Sequence, residues 1–242
     1  YICRKDRTDK EPPALIAKLL GYGVLSCLPA IVVELILSAI IERLNVRNAF
    51  LGYFLEAFVV AGLTEETCKF LFLRTTWRNP AFDYQFDAIV YAVMVALGFA
   101  AFENVKYVYS YGFATGIVRA VTAVPGHAIF GVFMGYFYGY AKLSDYWGRD
   151  DDRKAYLALS VVVPVLMHGC YDFLAFTQES DSRFTLLFYA YLVALYVFGI
   201  RRVNRSSRDD RRVTRETVFD YFRRMQYPMP PQYRDRNDDF WR

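Results

Sequence analysis

The feature that most constrains this chain is a group of charged residues inside an apolar run. Glu65, Glu66 and Lys69 lie within residues 50–73, a run long enough to cross a bilayer. A charge at the centre of a bilayer costs at least about 2.5 kcal/mol, so charged residues at that depth are rare and mark functional sites. The alternative is a cluster near the end of the helix, with Lys69 extending its ammonium to the headgroups. Unless that alternative holds, other segments have to cover these charges.

The rest of the sequence also divides into apolar blocks. Apolar residues make up 55% of the chain, and they fall in blocks of about 20, the length of a transmembrane helix. We therefore predict an all-α fold, a polytopic bundle of transmembrane helices. The predicted spans are residues 14–41, 50–73, 88–109, 117–141, 155–176 and 184–200, with an interruption at Pro125-Gly126. Because the sequence begins at Tyr1 and not at methionine, the existence of a further span upstream of residue 1 stays an open possibility.

The distribution of lysine and arginine predicts the orientation. These residues concentrate before the first span, in the second and fourth loops and after the sixth span, which places all of these segments in the cytoplasm. We predict two regions, a membrane-embedded domain over 1–200 and an Arg-rich cytoplasmic tail over 201–242. Within the tail, residues 218–225 have the spacing of a short amphipathic helix, although a solvated, irregular tail fits equally well. The predicted location is the plasma membrane, and no nucleic-acid partner is expected.

Other spans carry polar residues at similar depth. Glu103 and Asn104 are adjacent in the third span. Both histidines of the chain, His127 and His168, lie in spans beside prolines and glycines, and Asp172 is one helical turn after His168. A single buried histidine usually serves packing, and Glu103 alone would fit a helix interface. Kinked, glycine-containing helices around both histidines instead favour a cavity.

The combined residue types indicate hydrolysis. Two imidazoles and carboxylates are the ligands of a catalytic zinc site, which keeps one position open for water, and a second glutamate can act as general base. The chain lacks an H-E-x-x-H motif, so the ligands would come from separate helices. A metal-free version is also open, in which a glutamate activates water and the histidines stabilise the oxyanion.

Four motifs together resemble the PrsW family of intramembrane proteases, within the wider superfamily of CAAX prenyl endoproteases and bacteriocin-processing enzymes. The motifs are Glu65-Glu66-Thr67-Cys68-Lys69, Phe99 to Asn104, His127 with Gly131, and His168 to Asp172. The N-terminal segment with Asp6, Glu11 and Pro12, and the segment that begins at Asp87, also look like this family. The resemblance covers roughly residues 2–200 and does not include the tail.

The resemblance implies an activity, a cofactor and a partner. It implies an intramembrane endopeptidase that cleaves membrane-anchored proteins; in bacteria, this would be the first cut of an anti-sigma factor. It also implies a divalent metal as cofactor, and the ligand set favours zinc. The implied roles are general base for Glu65 or Glu66, metal or oxyanion binding for His127, His168 and Glu103, orientation of substrate or water for Asn104, support of His168 for Asp172, and pairing with the spare glutamate for Lys69.

Two other classes of function stay open at this point. One is a non-catalytic membrane scaffold, like the anterior-pharynx-defective subunit of gamma-secretase in the same superfamily. The other is an ion-coupled transporter, which the absence of internal repeats disfavours. The predicted spans also place Glu103 on the order of 10 Å from the depth of the other glutamates. If helix tilt does not compensate for this difference in depth, Glu103 is the first residue that we would exclude from the predicted site.

Overall fold

The computed structural model describes residues 1–6 and 10–213, and these residues fold into helices. The elements in chain order are α1 (Ile2–Lys5), α2 (Pro13–Arg43), α3 (Ala49–Phe54), a π-helix (Leu55–Leu63), α4 (Thr64–Leu73), a 3-10 turn (Arg74–Thr76), α5 (Asp87–Tyr111), α6 (Phe113–Val121), α7 (Ala123–Tyr146), α8 (Asp150–Ser180) and α9 (Arg183–Ser206). The predicted all-α fold is confirmed.

Five helical units in this part of the chain are long and apolar enough to cross a membrane. They are Pro13–Arg43, Asp87–Tyr111, Phe113–Tyr146, Asp150–Gln178 and Arg183–Ser206. In addition, α3, the π-helix and α4 follow one another without a gap from residue 49 to residue 73, at the position of the predicted second span. The prediction of a multi-pass bundle with about six spans is therefore confirmed.

One predicted boundary inside the fourth span is wrong. The helix breaks at Thr122, where φ is −113° and ψ is −64°, and α7 begins at Ala123. Pro125 consequently lies in the first turn of α7, where a helix does not use the backbone N–H that proline lacks. By contrast, α2 and α8 continue through Pro29 and Pro164.

The described part of the tail packs against the loop before α5. Helix α9 extends to Ser206, beyond its predicted end at residue 200. After it, the Val213 N–H donates to the Asp83 carbonyl at 2.8 Å, and the Gln85 N–H donates to the Arg211 carbonyl at 2.8 Å. The amphipathic helix over 218–225 lies outside the described residues, and the division of the chain at residue 200 stays a prediction.

Helix α5 is the central element of the bundle. Its first half is buried on all sides, and it packs against both α2 and α7. Gly23 of α2 lies against Gly98 of α5 so closely that a Cβ on Gly98 would overlap the carbonyl of Leu20. In a membrane, where lipid is as apolar as the core, such close backbone packing is a main source of helix association. The position of α5 therefore fixes the faces of α2 and α7 that meet at the site.

Candidate active site

The two adjacent glutamates lie directly after the π-helix. Thr64 begins α4, and Glu65 and Glu66 occupy its first turn, where both are buried. A π-helix has a wider turn than an α-helix and is frequent at functional sites. Gly62, at the end of this wide turn, lies against α8, because a Cβ added there would be 3.1 Å from the Val165 carbonyl oxygen. The first turn of α4 is thereby held against α8.

Lys69 connects both glutamates to His127. Its Nζ lies 3.1 Å from Glu65 Oε2, 2.8 Å from Glu66 Oε1 and 3.1 Å from His127 Nδ1. An ammonium has three donors and no acceptor, so His127 Nδ1 is the acceptor of the third bond. Lys69 is 1% exposed and lies 4.0 Å from the ring centroid of Phe99. It does not extend to the headgroups, so the alternative of a solvated helix end is wrong.

Glu103 contacts the opposite side of the His127 ring. His127 Nε2 lies 2.9 Å from Glu103 Oε2, and the same oxygen lies 2.7 Å from Arg119 Nη2. Because Nδ1 accepts from Lys69, Nε2 carries the proton and donates to Glu103. Glu103 therefore reaches the site in spite of the difference in depth that the sequence predicts. Sequence reasoning missed Arg119, although an arginine inside a predicted span is the kind of signal that marked the glutamates.

His168 lies between two carboxylates. Its Nδ1 is 2.9 Å from Glu66 Oε1, and its Nε2 is 3.2 Å from Asp172 Oδ2, one turn later on α8. Both nitrogens can donate only in the imidazolium form, so these contacts favour a protonated ring. The rings of His127 and His168 lie 5.1 Å apart, centroid to centroid, with their planes at 89°.

A cavity of about 350 Å³ opens onto this cluster. Glu65, His127, His168 and Asp172 line it, whereas Glu66 is not part of the wall and has no exposed surface. The two adjacent glutamates therefore differ in access to water, since only Glu65 faces the cavity.

The cavity extends between α2 and the π-helix. Glu34, Ser38 and Glu56 line this part, and the Ser38 hydroxyl donates to Glu56 Oε2 at 3.3 Å. Glu34 lies within the first predicted span, where a carboxylate needs a polar neighbour or an interior position, and it is part of the cavity wall. The path from the cluster toward α2 is thus lined by carboxylates.

The cluster fits a divalent metal. One ligand atom from each of Glu65, Glu66, His127 and His168 lies within 4.8 Å of the others. Imidazole nitrogens with carboxylate oxygens form the donor set of catalytic zinc sites. Glu66 Oε2 is buried and has no hydrogen-bond partner among the described residues, so one oxygen is available as a ligand. Lys69 contacts three of the four residues, and a bound metal would compete with its ammonium for the same lone pairs.

Four residues predicted for the site lie outside this group of four: Lys69, Glu103, Asn104 and Asp172. Lys69 and Asp172 contact members of the group directly. Glu103 contacts His127 from the opposite side of the ring, as described above. Asn104 is directed toward α6, where its Nδ2 lies 3.4 Å from the Gly116 carbonyl oxygen. The structure therefore brings Glu65, Glu66, Lys69, His127, His168, Asp172 and Glu103 together, and it places Asn104 at the packing of α5 against α6.

Comparisons with known proteins agree with this geometry. The sequence model of a family described as "PrsW family intramembrane metalloprotease" matches residues 11–200. The chain belongs to the PrsW family. Among its relatives, the "Protease PrsW" of Bacillus subtilis (strain 168) is 34% identical over 207 residues, which cover 85% of this chain and 88% of the relative. The "Protease PrsW" of Oceanobacillus iheyensis is 34% identical over 86% of this chain and 89% of the relative.

A more distant relative and the structural comparison complete this result. The "Protease PrsW" of Clostridioides difficile is 29% identical over 88% of each chain. No solved structure matches the chain. The resemblance to the PrsW family is confirmed, and the protein is a multi-pass intramembrane protease and thus an enzyme. All residues of the buried cluster fall within the matched range.

Proposed function

We propose that the protein hydrolyses peptide bonds of membrane-anchored proteins at the buried cluster, with Glu65 as the general base. The observation that carries this proposal is the position of Glu65. It lines the cavity beside both imidazoles, and its Oε2 is bonded to Lys69. A general base has to reach the proton that it abstracts, and Glu66, which lacks contact with the cavity, does not meet this condition.

His127, Glu66 and His168, the last after loss of the proton from Nδ1, would then hold the divalent metal, and the donor set favours zinc. Such a metal, when bound, would supply Lewis-acid chemistry, that is, polarisation of the scissile carbonyl and a lower pKa of a bound water. Glu103 and Asp172 each contact the far nitrogen of one histidine. Carboxylates in such positions fix the orientation and the basicity of a ligand imidazole. We therefore assign Glu103 to support of His127, in place of the ligand role implied by the motifs.

The proton follows a short path in this mechanism. The Glu65 carboxylate accepts a proton from water in the cavity as the water oxygen attacks the carbonyl carbon. The Glu65 carboxylic acid then donates that proton to the leaving amine nitrogen, which completes the hydrolysis and restores the carboxylate. Lys69 lies 3.1 Å from Glu65 Oε2, where its positive charge favours the ionised form of the carboxylate over the protonated form.

The depth of the site bears on the substrate. The cluster is formed by α4, α5, α7 and α8, so a substrate segment has to reach it from within the bilayer. This supports a protein anchored by a membrane helix as substrate, and an anti-sigma factor is the case implied by the family resemblance. We place the enzyme in the plasma membrane, with the N-terminal segment and the tail in the cytoplasm, as the distribution of Lys and Arg favours.

The test uses purified full-length protein in liposomes with a fluorescently labelled single-span substrate. The variants are Glu65→Gln, Glu66→Gln and His168→Ala, and Glu42→Gln in the exposed last turn of α2 is the matched control. We expect Glu65→Gln to reduce the cleavage rate by about 10²- to 10⁴-fold while it retains the metal. Glu66→Gln and His168→Ala should lose both the metal and the activity.

The readouts are the cleavage rate, the metal content by mass spectrometry, and recovery of activity after chelation and addition of Zn²⁺. Cleavage by Glu65→Gln within a few-fold of the wild-type rate would contradict the role of Glu65 as base. Full activity of thoroughly chelated protein would favour the metal-free mechanism, in which the histidines stabilise the oxyanion.

A further inference from the structure

A second group of carboxylates, in which Asp6 and Asp87 are buried and Glu11 is half-buried, lies at the other end of α5, away from the active site. One oxygen from each of Asp6, Glu11 and Asp87 lies within 4.8 Å of the others. Asp87 begins α5 and Glu103 lies on the same helix, so the two groups are separated by about 24 Å at 1.5 Å per residue. The three carboxylates join the segment before α2 to the start of α5.

Asp87 has an oxygen without a partner at this position. Its Oδ2 accepts the backbone N–H of Tyr84 at 2.7 Å and that of Asp83 at 3.1 Å. Its Oδ1 is buried and has no hydrogen-bond partner among the described residues, although Asp87 is only 1% exposed. A buried carboxylate oxygen in this state is costly unless a donor or an ion satisfies it.

Glu11 is held beside Asp87 by a hydrogen bond from a buried tyrosine. Its Oε2 accepts the hydroxyl of Tyr91 at 2.8 Å, and Tyr91 is fully buried. Partial burial raises the pKa of Glu11 to about 7, and the carboxylates of Asp6 and Asp83 act in the same direction. Mutual repulsion of this kind is relieved either by a proton or by a cation at the shared position.

We propose that Asp6, Glu11 and Asp87 bind a hard divalent cation, Mg²⁺ or Ca²⁺. All candidate ligands are carboxylate oxygens, which these ions prefer, and the group includes no imidazole or thiolate. Oxygens that share a Ca²⁺ ion at about 2.4 Å can be up to about 4.8 Å apart, so the observed spacing suits a shared ion. The site differs in donor chemistry from the nitrogen-containing cluster and does not depend on the proposed catalytic mechanism.

The cation would connect separate parts of the chain. The loop before α5 is bonded to the residues that follow α9, because the Phe86 N–H donates to Asp210 Oδ1 at 2.9 Å. An ion at Asp87 would add the segment around Asp6 and Glu11 to the same contact. It would thus hold the beginning of α2, the beginning of α5 and the end of α9 together.

Binding is tested on the purified full-length protein in detergent after chelation and dialysis. The unfolding temperature is measured while Mg²⁺ or Ca²⁺ is added, and Ca²⁺ binding is measured by titration calorimetry. The wild type should bind the ion and become more stable, and His168→Ala should do the same, because that substitution affects only the active site. Glu11→Gln should weaken binding by about 10-fold or more, while its amide oxygen can still accept the Tyr91 hydroxyl.

The matched control is Asp151→Asn, an acidic residue on the exposed first turn of α8, which should bind as the wild type does. If Glu11→Gln does not fold, Asp6→Asn and Tb³⁺ luminescence of the wild type replace it. Because Tyr91 contacts Glu11, tyrosine excitation should sensitise bound Tb³⁺, and Ca²⁺ should displace it.

Three results would overturn the proposal. The first is no stabilisation and no heat of binding with either ion. The second is equal binding by wild type and Glu11→Gln, and the third is loss of binding in His168→Ala. Stability that changes with pH near neutrality but not with either ion would instead indicate a proton shared between Glu11 and Asp87.

Discussion

Replacement of Lys69 by methionine tests whether the buried ammonium holds the active-site helices together. The substitution keeps an unbranched, apolar side chain in place and removes only the charged group. Three acceptors then lose their donor: Glu65 Oε2, Glu66 Oε1 and His127 Nδ1. Glu66 keeps its contact with His168 Nδ1 at 2.9 Å, whereas Glu65 has only the longer contact of 3.9 Å with the same nitrogen.

The expected cost follows from that difference. Removal of one partner of a buried ion pair destabilises a protein by about 3–5 kcal/mol, because an uncompensated charge stays buried. Loss of the contact with the Phe99 ring adds to this, by up to about 2 kcal/mol for a desolvated pair. Since Glu66 retains a partner, we expect Lys69→Met to lower the free energy of unfolding by about 4 kcal/mol in total. Most of this loss would come from the unpaired charge of Glu65. A second substitution, Glu65→Gln, removes the orphaned charge and should restore about 1–3 kcal/mol.

The assay is equilibrium unfolding of the purified protein in mixed micelles with increasing dodecyl sulfate, followed by circular dichroism with a check of refolding. The four proteins of the double-mutant cycle are wild type, Lys69→Met, Glu65→Gln and the double variant. Lys154→Met is the control. Lys154 is exposed, and its Nζ forms a long surface ion pair of 3.8 Å with Asp151, which contributes at most about 1 kcal/mol to stability. The reasoning fails if Lys69→Met costs no more than this control, or if the coupling with Glu65 is below about 0.5 kcal/mol.

Two further predictions concern the support of His168 and the packing of α2 on α5. Asp172→Asn removes the charge that faces His168 Nε2, so metal affinity and cleavage rate should fall by about 10- to 100-fold with little change in stability; unchanged metal affinity and cleavage rate would argue against the supporting role. Gly98→Ala places a methyl group against the Leu20 carbonyl and should destabilise the bundle by about 1–3 kcal/mol. Gly21→Ala, which meets no atom within 4 Å, should instead stabilise α2 by up to about 1 kcal/mol, and the opposite order in thermal unfolding would contradict the packing argument.

The sequence was sufficient for the transmembrane segments and for most residues of the cluster. Both signals are local, since an apolar run of sufficient length has to be helical in lipid, and a charge inside such a run stands out without knowledge of its neighbours. Glu65, Glu66 and Lys69 were found in this way. Arg119 carried the same signal at the start of its span, but it was not singled out because no motif accompanied it.

Boundaries within the spans were less predictable. The break in the fourth span was expected at Pro125-Gly126, whereas it lies at Thr122. Proline marks a helix start as readily as an interruption, because the first turn does not require its missing N–H. Which of the two applies depends on packing against neighbouring helices, and the residues around Pro125 do not reveal it.

By itself, the sequence determined that the chain is a bundle of transmembrane helices with carboxylates, a lysine and two histidines inside it. Only the tertiary structure decided their partners. It placed Lys69 between Glu65, Glu66 and His127, directed Glu103 to the far side of His127, and brought Asp6, Glu11 and Asp87 together. The physical reason is that a contact between helices depends on their relative rotation, depth and separation. These are set by close packing at positions such as Gly98, far along the chain from the residues that meet.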